Sequence, residues 1–406
     1  MSTASITRQT FRWELLRSIP NGALDTLAST FAMIIAVRAF AAGDGAKSVL
    51  LASNSAGMIL SLALVPILLR TGAGLTRMAT GIQLLAAACL IVASLFPHSS
   101  LAVLGGMSGS QLFLALQVPL ITAIYQANYP AQRRGQLFAI TNTTRAAAAM
   151  AMGFAGGWWL GRDAGHYPWL LWAFSAALIL SALSTLRLPY TQPPEEITAG
   201  SRSLIGALRW IREDRTFRRM LISWMVLGMG NLIAMALFVE FLANPKHGID
   251  LPEKDIAWIV GVVPLLFRLI FSYPWGMVFD RVNFFIVRSS LNVFFALSIF
   301  IFFHSHHPWG WTVAMALFGF ANAGGQLTWS LWVTKLAPPH AVAEYMAVHT
   351  FLTGLRGVIA PSLGFLMIQH MSFETLSIVC VTAILAASGF ILVPPLGSFS
   401  ADTTSR

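Results

Sequence analysis

The sequence predicts an all-α membrane protein of twelve transmembrane helices in two pseudo-symmetric six-helix bundles, and three observations lead there. The 406 residues are 56% hydrophobic and only 10% charged, with a mean hydropathy of +0.69. A soluble chain carries about a quarter charged residues, so these polar side chains are too few to cover a surface facing water. Apolar runs of ~20 residues, the length that crosses ~30 Å of hydrocarbon, recur along the chain. Basic residues also fall on alternate sides of those runs in a pattern that an even number of crossings satisfies.

The runs are continuous rather than alternating and rich in Leu, Ala, Ile and Phe. In lipid, where backbone groups must be satisfied internally, this selects helices over a barrel. Spans are expected at 18–42, 48–70, 77–97, 100–127, 137–161 and 166–188, then at 218–243, 255–279, 284–303, 309–335, 343–369 and 374–394. The bundles therefore cover 18–188 and 218–394. Between them, 189–217 reads as a linker with Pro193, Pro194, Glu195 and Glu196 followed by Arg202, Arg209, Arg212 and Arg215; 395–406 is a tail.

The formal net charge of +10 would suggest nucleic acid in a soluble protein, but here it follows the loops. With the N-terminus inside, one side receives Arg8, Arg12, Arg17, Arg70, Arg77, Arg133, Arg134, Arg187, the linker arginines, Arg218, Arg219, Arg281, Arg288, Lys335 and Arg406. The other receives Arg38, Lys47, Arg162, Lys246 and Lys254. That bias places both termini and the linker in the cytoplasm of a multi-pass protein of the plasma (inner) membrane. Trp158, Trp159, Trp169, Trp172, Trp309 and Trp311 fall near the outer ends, as an aromatic belt does. No short apolar segment with a cleavage site opens the chain, so the first helix is expected to stay as an anchor. Cys89 and Cys380 lie within apolar runs and read as small packing residues.

A weak internal repeat agrees with the two halves. Gln117 and Gln326, Pro130 and Pro339, Thr141 and Thr350, and Thr144 and Thr353 are each 209 residues apart, in the fourth and fifth and in the tenth and eleventh helices.

At the inner end of the eighth helix, Gly276-Met277-Val278-Phe279-Asp280-Arg281 is similar to the Gly-x-x-x-Asp-Arg loop signature of the major facilitator superfamily. Pro130-Ala131-Gln132-Arg133-Arg134-Gly135 resembles that family's loop between helices four and five. With the six-linker-six layout and the basic central loop, nearly the whole chain resembles the superfamily. The resemblance implies its fold and a gating motif at Gly276, Asp280 and Arg281, whose carboxylate braces the inner ends of neighbouring helices. A carboxylate there would also neutralise a helix N-terminus. The matching first-half loop, Leu69 to Arg77, keeps glycine and arginine but has no Asp. Drug/proton antiporters of the family carry Gly-Pro in helix five. Here Gly153 to Trp158 has no proline, and Gly357 to Gly364 of helix eleven contains Pro361 instead. No subfamily is assigned.

Charges within spans cost ~2.5–3.5 kcal/mol each at a helix centre and so mark function by default. Asp25, Arg145, Arg268 and Arg356 are four such residues. Asp25 and Arg145 both lie ~10–12 Å from the inner ends of their helices, a depth at which they can pair. Two readings stand for that pair: a carboxylate whose protonation couples transport to protons, or a static ion pair. Arg268 and Arg356 sit near the middle with no acid of their own half at that depth; Glu240 is ~15 Å away along the axis. They either bind an anionic substrate group, or cap carbonyls freed by Pro264 and Pro361, or snorkel into a wet cavity.

Polar stripes at helical spacing predict a water-lined path: His349, Thr353 and Arg356; Asn322, Gln326 and Trp329; Asn21 and Asp25; Thr141 and Arg145; Trp224, Gly228 and Asn231. Gln117, the repeat mate of Gln326, is expected on the opposite wall. The substrate-contact candidates are thus Arg268, Arg356, Gln117, Gln326, Trp329, His349 and Asn231, with Asp25 and Arg145 for coupling. Gly153, Gly157 and Gly161 read as close helix packing. His304, His306 and His307 lack the companion ligands of a metal site.

The sequence has no P-loop, metalloprotease signature or nucleophile motif, so neither an enzyme nor a cofactor is expected. The reading is a monomeric secondary transporter of a small solute, working by alternating access and driven by a proton or ion gradient. An organic anion is one substrate class. Efflux of hydrophobic drugs by proton antiport is the alternative, and a transporter-like receptor or assembly factor without flux the alternative from another class.

Overall fold

A computed structural model describes residues 3–69, 73–130, 133–189, 208–337 and 342–392. These residues build twelve long helical rods and, among themselves, no strand. The first six are α1 (3–38), α2 (Asp44–Leu69), α3 (Leu75–Leu95), α4 (100–128), α5 (Arg134–Leu160) and α6 (Tyr167–Leu186). A short helix, Arg209–Glu213, precedes α7 (Arg215–Ala243). Then come α8 (253–281), α9 (Phe284–His304), α10 (Pro308–Leu336), α11 (Val342–Met367) and α12 (Phe373–Leu392). Ten of them are long and apolar enough to span a membrane by themselves. The first rod begins well before the expected residue 18: the polar segment from Thr3 is already helical.

The two halves repeat one another. In the first, α1 packs on α5 and α6, α2 on α4, and α3 on α4 and α6; in the second, α7 packs on α11 and α12, α8 on α10, and α9 on α10 and α12. Adding six to each helix number converts one set into the other. The seams between halves obey the same shift, α2 lying against α11 and α5 against α8. Apolar residues buried along these contacts form a core extending through both halves. Large apolar side chains such as Leu101, Tyr273 and Trp309 are left exposed outside. In water that surface would be a liability; in lipid it is solvated. Of the expected aromatic belt, Trp169 and Trp309 face outward, but Trp311 is buried and packs edge-on against Phe241.

Glycine sets how closely the seams approach. A Cβ at Gly157 of α5 would stand 2.5 Å from the Ala257 Cβ of α8, and one at Gly354 of α11 would stand 2.7 Å from Ile59 of α2. The expected packing role of Gly153 and Gly157 thus holds at the seam with α8. Two rods carry a π-helical turn near the middle of the molecule. In α1 a π-helical turn spans Leu27–Phe31, and in α8 another spans Ala257–Val262. The α8 turn precedes Pro264, which has no N–H for the carbonyl four residues back, and a widened turn accommodates the gap. The two π turns meet, Gly261 lying under Thr30.

Candidate functional site

Asp25 lies just before the π turn of α1, and Arg145 lies eleven residues into α5. Gly22 lets these two helices touch, since a Cβ there would collide with the Arg145 carbonyl. The side chains meet as a two-pronged ion pair: Arg145 Nε donates to Asp25 Oδ2 at 2.6 Å and Nη2 to Oδ1 at 2.5 Å. The pairing expected from their depths is therefore present. Both side chains keep about two-fifths of their surface accessible, 43% and 40%, so the pair is on a cavity wall rather than locked in the bundle.

That cavity holds about 560 Å³ between the halves. Asp25, Ser29, Asn142 and Arg145 form one wall, and Arg268, Asn322 and Gln326 stand on the other. Leu232, Met235, Phe238, Met315 and Phe318 supply apolar lining. Arg268 is within electrostatic reach of Asp25 and Arg145, and no described residue accepts a hydrogen bond from its guanidinium. Gly357 and Pro361 also line the space. Pro361 has no N–H to give the Gly357 carbonyl, so a backbone acceptor is left without its helical donor beside the cavity.

A second cavity of about 320 Å³ runs inside the first half from Glu14 and Arg17, past Asn21 and Gln117, to Asp25 and Arg145. Asp25, Ala28, Asn142 and Arg145 border both spaces, which together lead from the end of the bundle carrying the N-terminus to its middle. Arg17, counted from sequence among loop charges, is instead buried; its Nε donates to Glu14 at 2.8 Å and its Nη2 to the Tyr125 hydroxyl at 2.7 Å.

The opposite end is sealed by polar contacts between the halves. Arg38 at the end of α1 pairs with Asp250 and, at 3.5 Å, with Glu253, and donates to the Leu251 carbonyl at 2.7 Å. Lys47 of α2 is fully buried against Glu240 of α7, Nζ to Oε1 at 2.8 Å. Asn244 and His247 hold the same oxygen at 2.7 and 3.3 Å. Asp44 accepts from Gln369 at 2.9 Å. Sequence reading assigned Lys47 to an outer loop and set Glu240 aside. Lys47 lies one residue before the expected span 48–70, whereas the helix itself begins at Asp44 and carries the lysine a turn inside.

The remaining substrate candidates do not converge on the central cavity. Arg356 is buried inside the second half and donates to the Trp224 carbonyl of α7, close against Gly228. His349 packs among Trp224, Trp329 and Trp332. Asn231 is half-buried with its carbonyl oxygen unpartnered and is not among the residues lining the cavity. The expected pairing of Arg268 with Arg356 across one substrate is thus absent; of the two, only Arg268 faces the cavity. Gly276 and Arg281 close α8, while the side chain of Asp280 and residues 70–72, 131–132 and 338–341 lie outside the described residues. Among those described, no group of His, Cys, Asp and Glu is arranged to hold a metal.

The sequence model of the Major Facilitator Superfamily matches residues 17–361. The chain belongs to the major facilitator superfamily. Solved structures share the fold. The nucleoside transporter NupG superposes with a TM-score of 0.72 at 14% identity, covering 95% of this chain and 98% of its own. A POT family transporter in complex with a thioalcohol-conjugated peptide gives 0.72 at 14%, covering 94% and 95%. A D-xylose-proton symporter gives 0.64 at 14%, covering 96% of each. At these identities the likeness is one of fold. Among curated proteins none matches the sequence. As a major facilitator, this multi-pass membrane protein is a secondary transporter.

Proposed function

We propose that this transporter carries organic anions with apolar bodies and couples their movement to protons through Asp25. The observation behind this reading is the Asp25–Arg145 ion pair, reachable from a cavity whose far wall presents the unpartnered Arg268. A carboxylate or phosphate entering the cavity is attracted to Arg268 and competes with Asp25 for Arg145, because guanidinium pairs with such groups in two-pronged fashion. Once displaced, Asp25 has lost the counter-charge that favours its ionised form, and this links substrate binding to proton binding. Gln326 and Asn322 supply neutral hydrogen bonds, Gln117 borders the adjoining cavity, and the Leu232, Met235 and Leu265 surface receives the apolar body.

Charge bookkeeping fits symport. Empty, the site holds one carboxylate and two guanidinium groups, a net charge of plus one. With a monoanion bound and Asp25 protonated, it again holds plus one, so the loaded and the empty carrier reorient with the same charge. The excess of basic residues in the loops on the side of the termini supports termini in the cytoplasm of the plasma (inner) membrane; in that orientation the conformation described opens inward, with Gly276, Asp280 and Arg281 serving as gate on that side. Each chain holds a complete cavity and acts as a monomer.

The test is thermal stabilisation of purified protein by a panel of apolar carboxylates and phosphates, sugars and lipophilic cations, followed by uptake of the best ligand into proteoliposomes under an imposed pH gradient. Anion stabilisation lost in Arg268→Gln, with uptake that no longer responds to the gradient in Asp25→Asn, is the expected result. Stabilisation by lipophilic cations, unchanged in Arg268→Gln, overturns it in favour of drug efflux. Ligand binding without flux would make the protein a receptor.

A further inference from the structure

The interior of the second half contains positive charge that neither the central cavity nor any described carboxylate accounts for. Arg288 of α9 and Arg356 of α11 are 2% and 7% exposed and lie within electrostatic reach of each other. Their described partners are neutral. Arg288 stacks over the Trp224 ring at 3.9 Å and donates to Thr328 Oγ1 at 3.3 Å, and Arg356 donates to the Trp224 carbonyl. Guanidinium does not give up its proton in a protein, so both charges persist, and a buried charge without a counter-ion is strongly unfavourable. Of the described acids of this half near the termini end, Asp214 accepts from Tyr345 and Glu344 holds Trp210 and Arg209, and none is paired with Arg288 or Arg356; the side chain of Asp280 lies outside the described residues.

A second observation points the same way. In the same cluster the Nε of Arg288, the Nε of Arg356, the indole nitrogens of Trp224 and Trp332, and Nε2 of His349 are buried without hydrogen-bond partners. The guanidinium and indole groups can only donate, and His349 donates from Nε2 in one tautomer, so what the cluster lacks is an acceptor. The surplus charge says that the acceptor is an anion. The burial of Arg288, Trp332 and His349 to 2% exposure or less leaves no route for an organic substrate and favours the smallest anion. A water molecule would satisfy donors but leave the charge uncompensated.

We propose that the second half binds a small inorganic anion of the halide class between Arg288 and Arg356, with neighbouring indole and imidazole N–H groups completing its shell. The anion is a structural counter-ion of the α7–α9–α11 interior, separate from the transported solute.

Purified protein exchanged into gluconate is titrated with chloride or bromide at constant ionic strength while the melting temperature is followed. A saturable rise is expected in wild type and in Arg268→Gln, whose guanidinium belongs to the central cavity. In Arg356→Gln the apparent affinity for chloride should weaken ~10-fold or more, as loss of a charged hydrogen bond implies, and likewise in Arg288→Gln. Should those variants not fold, crystals of wild type grown in bromide decide it: an anomalous peak between the two guanidinium groups supports the site, and its absence overturns it. A melting temperature indifferent to the anion overturns the proposal too, as does a chloride effect lost in Arg268→Gln but kept in Arg288→Gln. Because the readout is halide binding rather than uptake, failure here leaves the transport reading standing, and the reverse also holds.

Discussion

Glu240→Gln should release the seal remote from the termini. Glu240 is 0% exposed and Lys47 is 1% exposed, and their 2.8 Å ion pair joins α2 of one half to α7 of the other. Removing one partner of a buried pair costs ~3–5 kcal/mol because the other charge is stranded. Here Lys47 retains Asp44 at 3.0 Å and sits over the Phe365 ring at 4.7 Å, so the lower figure applies, ~3 kcal/mol. When the halves separate at this end, Lys47 meets water, and the substitution costs that state little. The equilibrium between the two conformations should therefore move toward the distally open one by about two powers of ten, at ~1.4 kcal/mol per factor of ten. Spin labels at Gly43→Cys and His370→Cys, in a background with Cys89 and Cys380 replaced, would read this out by pulsed electron resonance. Both label sites lie at the sealed mouth in opposite halves, Gly43 with open space around it and His370 exposed. A longer-distance population should appear in Glu240→Gln. An unchanged distance distribution would refute the idea that this pair holds the mouth shut.

Three further outcomes follow from contacts described above. Gly157→Leu places a branched side chain where even a Cβ stands 2.5 Å from Ala257; it should destabilise the α5–α8 seam by ~1–3 kcal/mol, as overpacking does, and shift the same spin-label distances outward. Arg268→Gln should weaken binding of a stabilising carboxylate ligand by ~1.5–3 kcal/mol, the worth of a charged hydrogen bond, measured by calorimetry, without lowering the melting temperature of the empty protein. Ser181→Ala removes the hydroxyl that donates to Asn21 at 2.7 Å and accepts from Gln83 at 3.3 Å in a buried position; a loss of ~1–3 kcal/mol in stability is expected, visible as a lower melting temperature.

The rods were legible because a membrane span has one dominant requirement, continuous apolar length, and ten of the twelve rods meet it by themselves. The Asp25–Arg145 pair was legible for a related reason: depth along a helix is a simple product of residue count and rise. Azimuth is harder. Arg268 and Arg356 share a depth, yet one faces the cavity and the other α7, because rotation about the axis is decided by packing partners that a linear sequence does not name. Arg288 was grouped with loop charges for being four residues past the start of α9, although at that short distance a side chain can already be enclosed by α7 and α10. The Lys47–Glu240 bond joins residues 193 positions apart, and only the approach of the two halves reveals it. The π turns in α1 and α8 change the register for a single turn, too briefly to disturb an apolar period.

The matched packing of the halves carries a consequence for ancestry. If both descend from one six-helix unit, an early carrier was a pair of identical units, each presenting the same side chains to the middle. The present interior could not have worked in that form. Two copies of the first half would bring together only self-neutralised Asp25–Arg145 pairs, and two copies of the second would crowd unmatched arginines around a shared axis. On the transport reading proposed above, the division of labour, with a releasable carboxylate on one side and free guanidinium on the other, is a difference that two identical units cannot have.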